Sequence, residues 1–166
     1  MKRIKKFLLN LPTETVYDTI DSPVGLLLIF ASDKGIYNIL WQHEAETDAC
    51  RAALHKYKQA PKQAIIVETK QQLKEYFIGK RKVFDIPFCL VGTPFQITVW
   101  QTLAKIPYGH TISYGEQAAR LGDKNKARAV GLANGLNPIS IIIPCHRVIG
   151  SNGQLTGFGG GLENKA

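Results

Sequence analysis

A cysteine and a histidine stand side by side after a long apolar run, where they could do nucleophilic chemistry. Residues 139–143 predict a buried strand that ends at Pro144, and the proline fits the first position of a short helix carrying Cys145 and His146. A free thiol is only slightly ionised at neutral pH, but a helix N-terminus and a neighbouring imidazole both favour the thiolate. We therefore expect Cys145 to be a reactive nucleophile that needs no metal.

The alternative for a cysteine in an apolar segment is a small buried core residue. That interpretation suits Cys50, in a helix-like stretch, and Cys89, in an apolar segment. The three cysteines have no paired spacing, so they predict no disulfide framework and favour a reducing cytoplasm. His43 and His55 complete no ligand pattern with Cys50 and Cys89, and no metal site is expected.

Composition and charge narrow the class of protein. With 166 residues, 45% of them hydrophobic and 20% charged, the chain can bury a core as one domain or two small lobes. The formal net charge of +8 suits a polyanionic partner, nucleic acid first and a membrane surface second. The apolar stretch in residues 1–12 is too short for a signal peptide, and no segment approaches membrane-spanning length. A cytoplasmic protein is expected.

The first half of the chain predicts a small α/β lobe. Strands are expected at residues 15–20, 24–31 and 36–41, and helices at about 45–58 and 68–79. Nothing in residues 1–90 has the residue types of an active site, so a supporting lobe is expected.

The second half predicts a helix-turn-helix. Thr93 can cap a helix that has Pro94 at its first position, and a short strand is expected at residues 110–114. A helix ending at Gly122, a polar turn and a second helix over about 126–136 complete the outline.

The second helix of that motif is crowded with alanine and glycine and lies near three cations, Lys124, Lys126 and Arg128. Small residues allow a helix to approach another backbone closely, and cations suit phosphates or base edges. The alternative is a helix packed tightly against a neighbour in the same protein.

Seven segments form a recognisable series. They are residues 92–96, 99–100, 112–116, the Arg128-containing helix, 137–138, 144–148 and 159–162. In these segments and their order the chain resembles the O6-alkylguanine-DNA alkyltransferases, the methylated-DNA–protein-cysteine methyltransferases. The resemblance implies an α/β (α+β) fold: a ribonuclease-H-like lobe with a small antiparallel sheet over residues 1–90, and a mostly helical domain with a winged helix-turn-helix over 91–166.

The resemblance implies DNA repair by direct reversal of damage. The protein would flip a nucleotide out of duplex DNA from the minor groove and move the O6-alkyl group of guanine irreversibly to its own Cys145; O4-methylthymine is a second candidate substrate. Extrusion of the base is needed because a thiol cannot reach an alkyl group inside a stacked duplex. Double-stranded DNA containing O6-alkylguanine is the expected partner, with no cofactor, no obligate protein partner and a monomeric state.

The resemblance also assigns roles to individual residues. Cys145 is implied to be the acceptor of the alkyl group, and His146 the base that acts on it through a water. Asn137 is implied to be the hinge between the recognition helix and the cysteine turn. Tyr114 is implied to donate to a guanine ring nitrogen, and Arg128 to be the finger that fills the vacated place in the base stack. Further residues are implied to contact DNA (Thr93, Gln96, Ser113, Lys126, Ala127, Ala129, Gly131), to line the guanine pocket (Val148, Phe158, Gly159, Gly160) or to be structural (Arg147).

The sequence departs from the family pattern near its end. The family continues into a C-terminal helix with a glutamate that orients the histidine, and Glu163 comes too early to be that residue. Either Glu116 or a water network takes the place of that glutamate, or activity is reduced, and Lys165 is expected near the pocket. Phe158 and Ser140 are expected to alter the tolerance for bulky alkyl groups.

Three other functions compete with alkyl transfer. A non-catalytic alkylguanine-binding lesion sensor is the nearest alternative because of the C-terminal departure, although such relatives replace the cysteine. A thiol hydrolase would need an oxyanion hole and would leave the alanine-rich helix unexplained. A DNA-binding regulator would show sequence preference and would not need Cys145.

Overall fold

The computed structural model describes residues 7–166, apart from the side chain of Ala49. Residues 1–6 of the basic, apolar start therefore lie outside the described residues. The chain divides into two compact units, and the division falls between Cys89 and Leu90. Among the described residues, no helix combines the length and the apolar character that a membrane crossing requires.

The first unit is built on a four-stranded sheet in the order β3-β2-β1-β4. Its strands are β1 (Val16–Ile20), β2 (Leu27–Ser32), β3 (Gly35–Trp41) and β4 (Lys58–Gln59). The first three strands pair antiparallel, as the sequence predicts, whereas β4 pairs parallel to β1, so the sheet is mixed. The second strand begins at Leu27 because a turn closed by the Gly25 N–H on the Ser22 carbonyl, at 3.0 Å, precedes it.

Three helices of the first unit differ in their bounds from the prediction. They are α1 (Gln42–Ala45), α2 (Asp48–Leu54) and α3 (Ala64–Phe77). The single helix predicted over 45–58 is wrong, because the Thr47 hydroxyl caps a new helix by accepting from the Cys50 N–H at 3.3 Å. The predicted 68–79 helix begins earlier, because the Gln63 side chain caps it by accepting from the Ile66 N–H at 2.8 Å.

The core of the first unit contains Leu8, Phe30, Leu40, Cys50 and Tyr57, all of them buried. Burial, aided by the Glu44 charge, raises the pKa of Cys50 to about 11, as expected for a core thiol. Gly35 must be glycine because its φ is +136° and a Cβ there would lie 2.4 Å from the Pro87 carbonyl oxygen.

The second unit is mostly helical and contains the predicted helix-turn-helix. Its elements are α4 (Pro94–Ala104), β5 (Ile112–Ser113), α5 (Tyr114–Arg120), a 3₁₀ turn (Lys124–Lys126), α6 (Ala127–Asn134), a 3₁₀ turn (Cys145–Arg147), β6 (Val148–Ile149) and α7 (Leu162–Lys165). Strands β5 and β6 pair in parallel, Ile112 opposite Val148, and so bring the start of α5 beside the chain that follows Cys145.

Candidate active site

The segment before Cys145 is a turn, and the strand predicted over residues 139–143 is wrong. The chain folds back on itself, with the Ile143 N–H donating to the Ile139 carbonyl at 3.0 Å and the Ile142 N–H to the Ser140 carbonyl at 2.9 Å. Ile141 has a φ of +75°, which is rare for a β-branched residue, yet its side chain is buried. The segment is rich in isoleucine because the turn is buried and needs apolar side chains. Apolar content alone does not distinguish a buried turn from a buried strand.

Asn137 closes this turn from both sides. Its side-chain oxygen accepts from the Ile139 N–H at 3.0 Å, and its amide nitrogen donates to the Ile143 carbonyl at 2.8 Å. The same amide nitrogen donates to Cys145 Sγ at 3.2 Å. One side chain therefore fixes both the shape of the turn and the position of the thiol.

Cys145 is a buried thiol, 7% exposed, at the start of the 3₁₀ turn, and Pro144 precedes that turn instead of occupying its first position. Burial raises the pKa of Cys145; the Asn137 amide, the positive charge of Lys165 and the backbone N–H groups of Cys145 and His146 lower it by less. The resting site therefore favours the protonated thiol, and the reactivity expected of Cys145 stays a prediction. The turn's N–H groups do favour the anion, but removal of the sulfur from water outweighs them.

His146 is held neutral at pH 7. Burial, with the charges of Arg147 and Lys165 adding to it, lowers the pKa of His146 to about 4. Its ring meets the Phe158 ring edge-on, with 6.4 Å between centroids. A neutral imidazole beside a protonated thiol can accept the thiol proton, directly or through a water.

Tyr114 and Lys165 share one acceptor on the other side of the site. The Tyr114 hydroxyl donates to the Thr156 carbonyl at 3.1 Å, and Lys165 Nζ donates to the same oxygen at 2.6 Å. Lys165 Nζ also donates to the Tyr114 hydroxyl at 3.4 Å and lies 5.7 Å from the centre of its ring. Lysines are rarely buried, yet Lys165 is only 5% exposed. Sequence reasoning placed it near the pocket without a role.

The remaining residues predicted for the pocket lie after the cysteine turn. Val148 is buried in β6, Phe158 and Gly160 are half-buried, and Gly159 is exposed. Arg147 has the structural contacts expected of it: its guanidinium donates to the Ile106 carbonyl at 2.6 Å and lies over the Tyr108 ring.

Helix α6 and the 3₁₀ turn before it carry some of the predicted DNA-contacting residues at the surface. Lys126, Arg128 and Ala129 are exposed, whereas Ala127 and Gly131 are half-buried. A Cβ on Gly131 would come within 3.5 Å of the Tyr114 ring, so this glycine lies against α5. Leu132, which the sequence reasoning did not single out, is 67% exposed on the same helix.

Three further predicted DNA contacts act as helix caps. Thr93 and Gln96 form a capping box on α4, in which the Thr93 N–H donates to the Gln96 side chain at 3.0 Å. Ser113 forms the equivalent box on α5 with Glu116, whose carboxylate accepts from the Ser113 N–H at 2.6 Å. Glu116, the carboxylate expected to replace the family's glutamate, is thus occupied as a capping residue.

No group of three or more histidine, cysteine or acidic side chains that could hold a metal occurs within residues 7–166, as far as the structure describes them. The three cysteines are free thiols.

An α/β unit followed by a helix-turn-helix unit with a buried Cys145 is the arrangement expected of a DNA-binding protein that uses a cysteine as its reactive group. Comparisons with known proteins assign the chain to such a class. Residues 15–90 match the model of the 6-O-methylguanine DNA methyltransferase ribonuclease-like domain, and residues 94–166 that of the 6-O-methylguanine DNA methyltransferase DNA binding domain. The chain belongs to the family of methylated-DNA–protein-cysteine methyltransferases.

Individual relatives are similar over most of their length. A methylated-DNA–protein-cysteine methyltransferase from Mycolicibacterium paratuberculosis is 46% identical, over 90% of this chain and 87% of the relative. The constitutive enzyme of Bacillus subtilis is 43% identical, over 87% of this chain and 86% of its own. The crystal structure of Mycobacterium tuberculosis O6-methylguanine methyltransferase matches with a TM-score of 0.80 and 44% identity, over 91% of this chain and 88% of that one. The same organism's OGT in complex with DNA matches with a TM-score of 0.77 and 44% identity, over 90% and 87% of the two chains.

Proposed function

We propose that this protein repairs DNA by moving the O6-alkyl group of guanine, methyl above all, from duplex DNA to Cys145, once per molecule. The observation that carries the proposal is a buried Cys145 thiol, bonded by Asn137 and followed by a neutral His146, in a chain that is 46% identical to a methylated-DNA–protein-cysteine methyltransferase. A solved relative with 44% identity forms a complex with DNA, which supports DNA as the partner.

The proposed reaction balances with the groups of the site. The Cys145 proton passes to His146, and the sulfur then attacks the alkyl carbon in line with the bond to guanine O6. A C–S bond forms, the C–O bond breaks, and its electron pair stays on guanine. Tyr114 hydrogen-bonds to a ring nitrogen of the leaving guanine. His146 then gives the proton that it took from the thiol, through a water, to the guanine anion, so both end neutral.

The contacts of Tyr114 and Lys165 fit this sequence of events. The Tyr114 hydroxyl proton is donated to the Thr156 carbonyl, so a guanine nitrogen has to replace that carbonyl as acceptor. Lys165 remains bonded to Thr156 at 2.6 Å, and its positive charge favours both the thiolate and the departing guanine anion.

Each unit has a proposed role. Residues 1–90 form a supporting lobe, and residues 91–166 bind DNA and accept the alkyl group, with Arg128 entering the base stack and the exposed face of α6 in the minor groove. Thr93, Gln96, Ser113 and Lys126 are proposed as further DNA contacts; Val148 and residues 158–160 as the guanine pocket. We expect a monomer that needs no cofactor, in the cytoplasm, where the free thiols of the chain stay reduced.

Intact mass after incubation with a duplex containing one O6-methylguanine tests the proposal. The wild-type protein should gain one methyl group, Cys145→Ala none, and the matched control Cys89→Ala one. Tight, lesion-selective binding without any mass gain would overturn alkyl transfer in favour of the lesion sensor. Catalytic release of product without a modified protein would indicate a thiol hydrolase instead.

A further inference from the structure

The two helices of the helix-turn-helix are joined by a buried pair of side-chain amides. Gln117 in α5 is 0% exposed, and Asn134, the last residue of α6, is 6% exposed. The Asn134 amide nitrogen donates to the Gln117 side-chain oxygen at 2.7 Å, and the Gln117 amide nitrogen donates back to the Asn134 side-chain oxygen at 3.3 Å. The two amides therefore satisfy each other where water is excluded.

The pair extends to a third helix. The Gln117 amide nitrogen also reaches the Thr102 hydroxyl at 3.0 Å and the Val99 carbonyl at 3.3 Å, both in α4. Its two N–H groups thus face three acceptors. A buried polar network of this kind fixes one relative rotation of the helices, which apolar packing alone specifies less strictly.

Each member of the pair is close along the chain to a site residue. Gln117 follows Tyr114 by three residues and so lies on the same side of α5. The Asn134 carbonyl accepts from the Asn137 N–H at 3.1 Å, and Asn137 in turn donates to Cys145 Sγ at 3.2 Å. The amide pair therefore connects the helix that carries Tyr114 to the turn that carries the thiol.

We propose that Gln117 and Asn134 are positioning residues for alkyl transfer: their reciprocal hydrogen bonds set the separation of Tyr114 from Cys145, between which the guanine has to fit. This inference rests on the proposed function. Neither side chain touches the reacting atoms, so both act through Tyr114 and Asn137. Misplacement of a reacting group by even an ångström slows a reaction strongly, so the pair should matter for rate beyond its effect on stability.

Two variants separate positioning from stability. Gln117→Leu leaves the Asn134 amide buried without its partner and should lower the Tm by several degrees. Gln117→Met combined with Asn134→Leu keeps the shapes of both side chains and removes both amides, so its Tm should return close to that of the wild type. Val99→Ala shortens a buried side chain in α4 but leaves in place the backbone carbonyl that faces Gln117, so it is the control for lost stability alone.

The readout is the rate constant of methyl uptake in a single turnover at saturating O6-methylguanine duplex, with Kd for undamaged duplex measured in parallel. We expect the double variant to transfer about tenfold more slowly than the wild type, with Kd changed less than about twofold, and Val99→Ala to keep the wild-type rate. A double variant that transfers at the wild-type rate would overturn the positioning role while leaving alkyl transfer intact. A wild-type protein that takes up no methyl would overturn the proposed function and this inference with it.

Discussion

At the scale of single residues, the site holds its reactive groups uncharged. Burial raises the pKa of Cys145 and lowers that of His146 to about 4, so at pH 7 the thiol keeps its proton and the imidazole can accept one. A protonated, buried thiol resists oxidation, which is useful for a residue that is used once. In the proposed reaction the thiolate forms when the Cys145 proton passes to His146.

The neutral His146 predicts a loss of stability in mild acid. Its pKa is about 4 when folded, against an ordinary value of 6.5, so the unfolded chain binds a proton in that interval and the folded chain does not. The contribution is therefore complete above pH 6.5 and is lost as pH falls towards 4, by about 2 kcal/mol between pH 7.5 and pH 5. Urea unfolding at these two pH values, compared between wild type and His146→Gln, measures it.

His146→Gln should remove that part of the pH dependence, whereas His110→Gln, which replaces an exposed imidazole, should keep the wild-type slope. Equal slopes for wild type and His146→Gln would show that His146 is not held neutral by the fold.

The positive charge of Lys165 should affect the pH at which the Cys145 thiol ionises. This charge lowers the pKa of Cys145, so Lys165→Met should raise that pKa further and move the pH midpoint of alkylation by iodoacetamide to higher pH. The modified Cys145 peptide is quantified by mass spectrometry, since Cys50 and Cys89 are also free. Lys105→Met, an exposed lysine at the end of α4, is the matched control, and an unchanged midpoint in Lys165→Met would contradict the account.

Residue types alone could not predict these protonation states. Proximity of Cys145, His146 and a helix start favours a thiolate, and the N–H groups of the turn do lower the pKa of Cys145. Burial of the thiol outweighs these effects and raises the pKa of Cys145, and burial depends on how the whole unit folds. Lys165 was equally hard to place from sequence, because only the fold shows that its side chain is covered.

At the scale of elements, helix α6 presents one cation at the centre of its exposed face. Arg128 lies one turn before the exposed Leu132 and next to the exposed Ala129, while Val130 and Ala133 are buried on the opposite side. The exposed face is therefore narrow, carries small side chains beside Arg128 and is positively charged, which suits close approach to a DNA groove.

Arg128→Ala should weaken binding to duplex DNA and flatten its salt dependence. A cation that enters the base stack still brings one positive charge into the DNA and displaces counterions, so its loss should lower the magnitude of the slope of log K against log salt by up to about 1. Fluorescence anisotropy over a series of salt concentrations measures that slope. Lys58→Ala, an exposed lysine in β4, is the control and should keep it. An Arg128→Ala slope equal to that of the wild type would place Arg128 outside the interface.

The elements differ in how well the sequence predicts them. The helix-turn-helix is predictable because its signals are local: the first helix stops at Gly122, a polar turn follows directly, and the second helix begins after it. The turn at residues 139–143 is not, because a side chain outside the apolar run, Asn137, closes it. The positive φ of Ile141 is likewise a consequence of that closure, with no signal in the residue itself.

At the scale of the whole molecule, the first unit is stabilised by an ion pair that takes no part in the proposed reaction. Asp18 in β1, its side chain 5% exposed, pairs with Lys70 in α3 and accepts from the Gln59 amide at 2.7 Å. Burial alone would raise the pKa of Asp18, but the hydrogen bonds from Gln59 and Lys70 outweigh it and the pKa is lowered.

Lys70→Met should destabilise the protein without slowing alkyl transfer. The change leaves Asp18 buried and unpaired, which costs about 3 kcal/mol of unfolding free energy at pH 7. The loss should shrink as pH falls through the ordinary Asp value of 3.8, because the unpaired carboxyl then becomes neutral. Denaturant unfolding at pH 7 and in acid, with single-turnover transfer rates well below the Tm, checks both statements; a lowered rate would mean that the first unit does more than support.

Residue patterns alone predict an α/β first half and a helix-turn-helix in the second half, whereas the resemblance was needed to say which fold and function the two halves make together. Alternation of apolar residues predicts β1, and apolar segments bounded by turns predict β2 and β3. The parallel partner β4 is two residues long and carries no pattern of its own. The function depends on a few separated segments, and their order, more than any single motif, indicates the family to which the matches over residues 15–90 and 94–166 assign the chain.

The central claim is that Cys145 accepts one alkyl group and is never regenerated, and the stoichiometry of repair tests it most directly. A limiting amount of protein is mixed with excess duplex carrying O6-methylguanine, and restored guanine and methylated Cys145 peptide are counted until both stop rising. We expect a plateau at one restored guanine and one methylated Cys145 per protein molecule. Restored guanine that continues to accumulate beyond the amount of protein, or a methyl group on another residue, would contradict it.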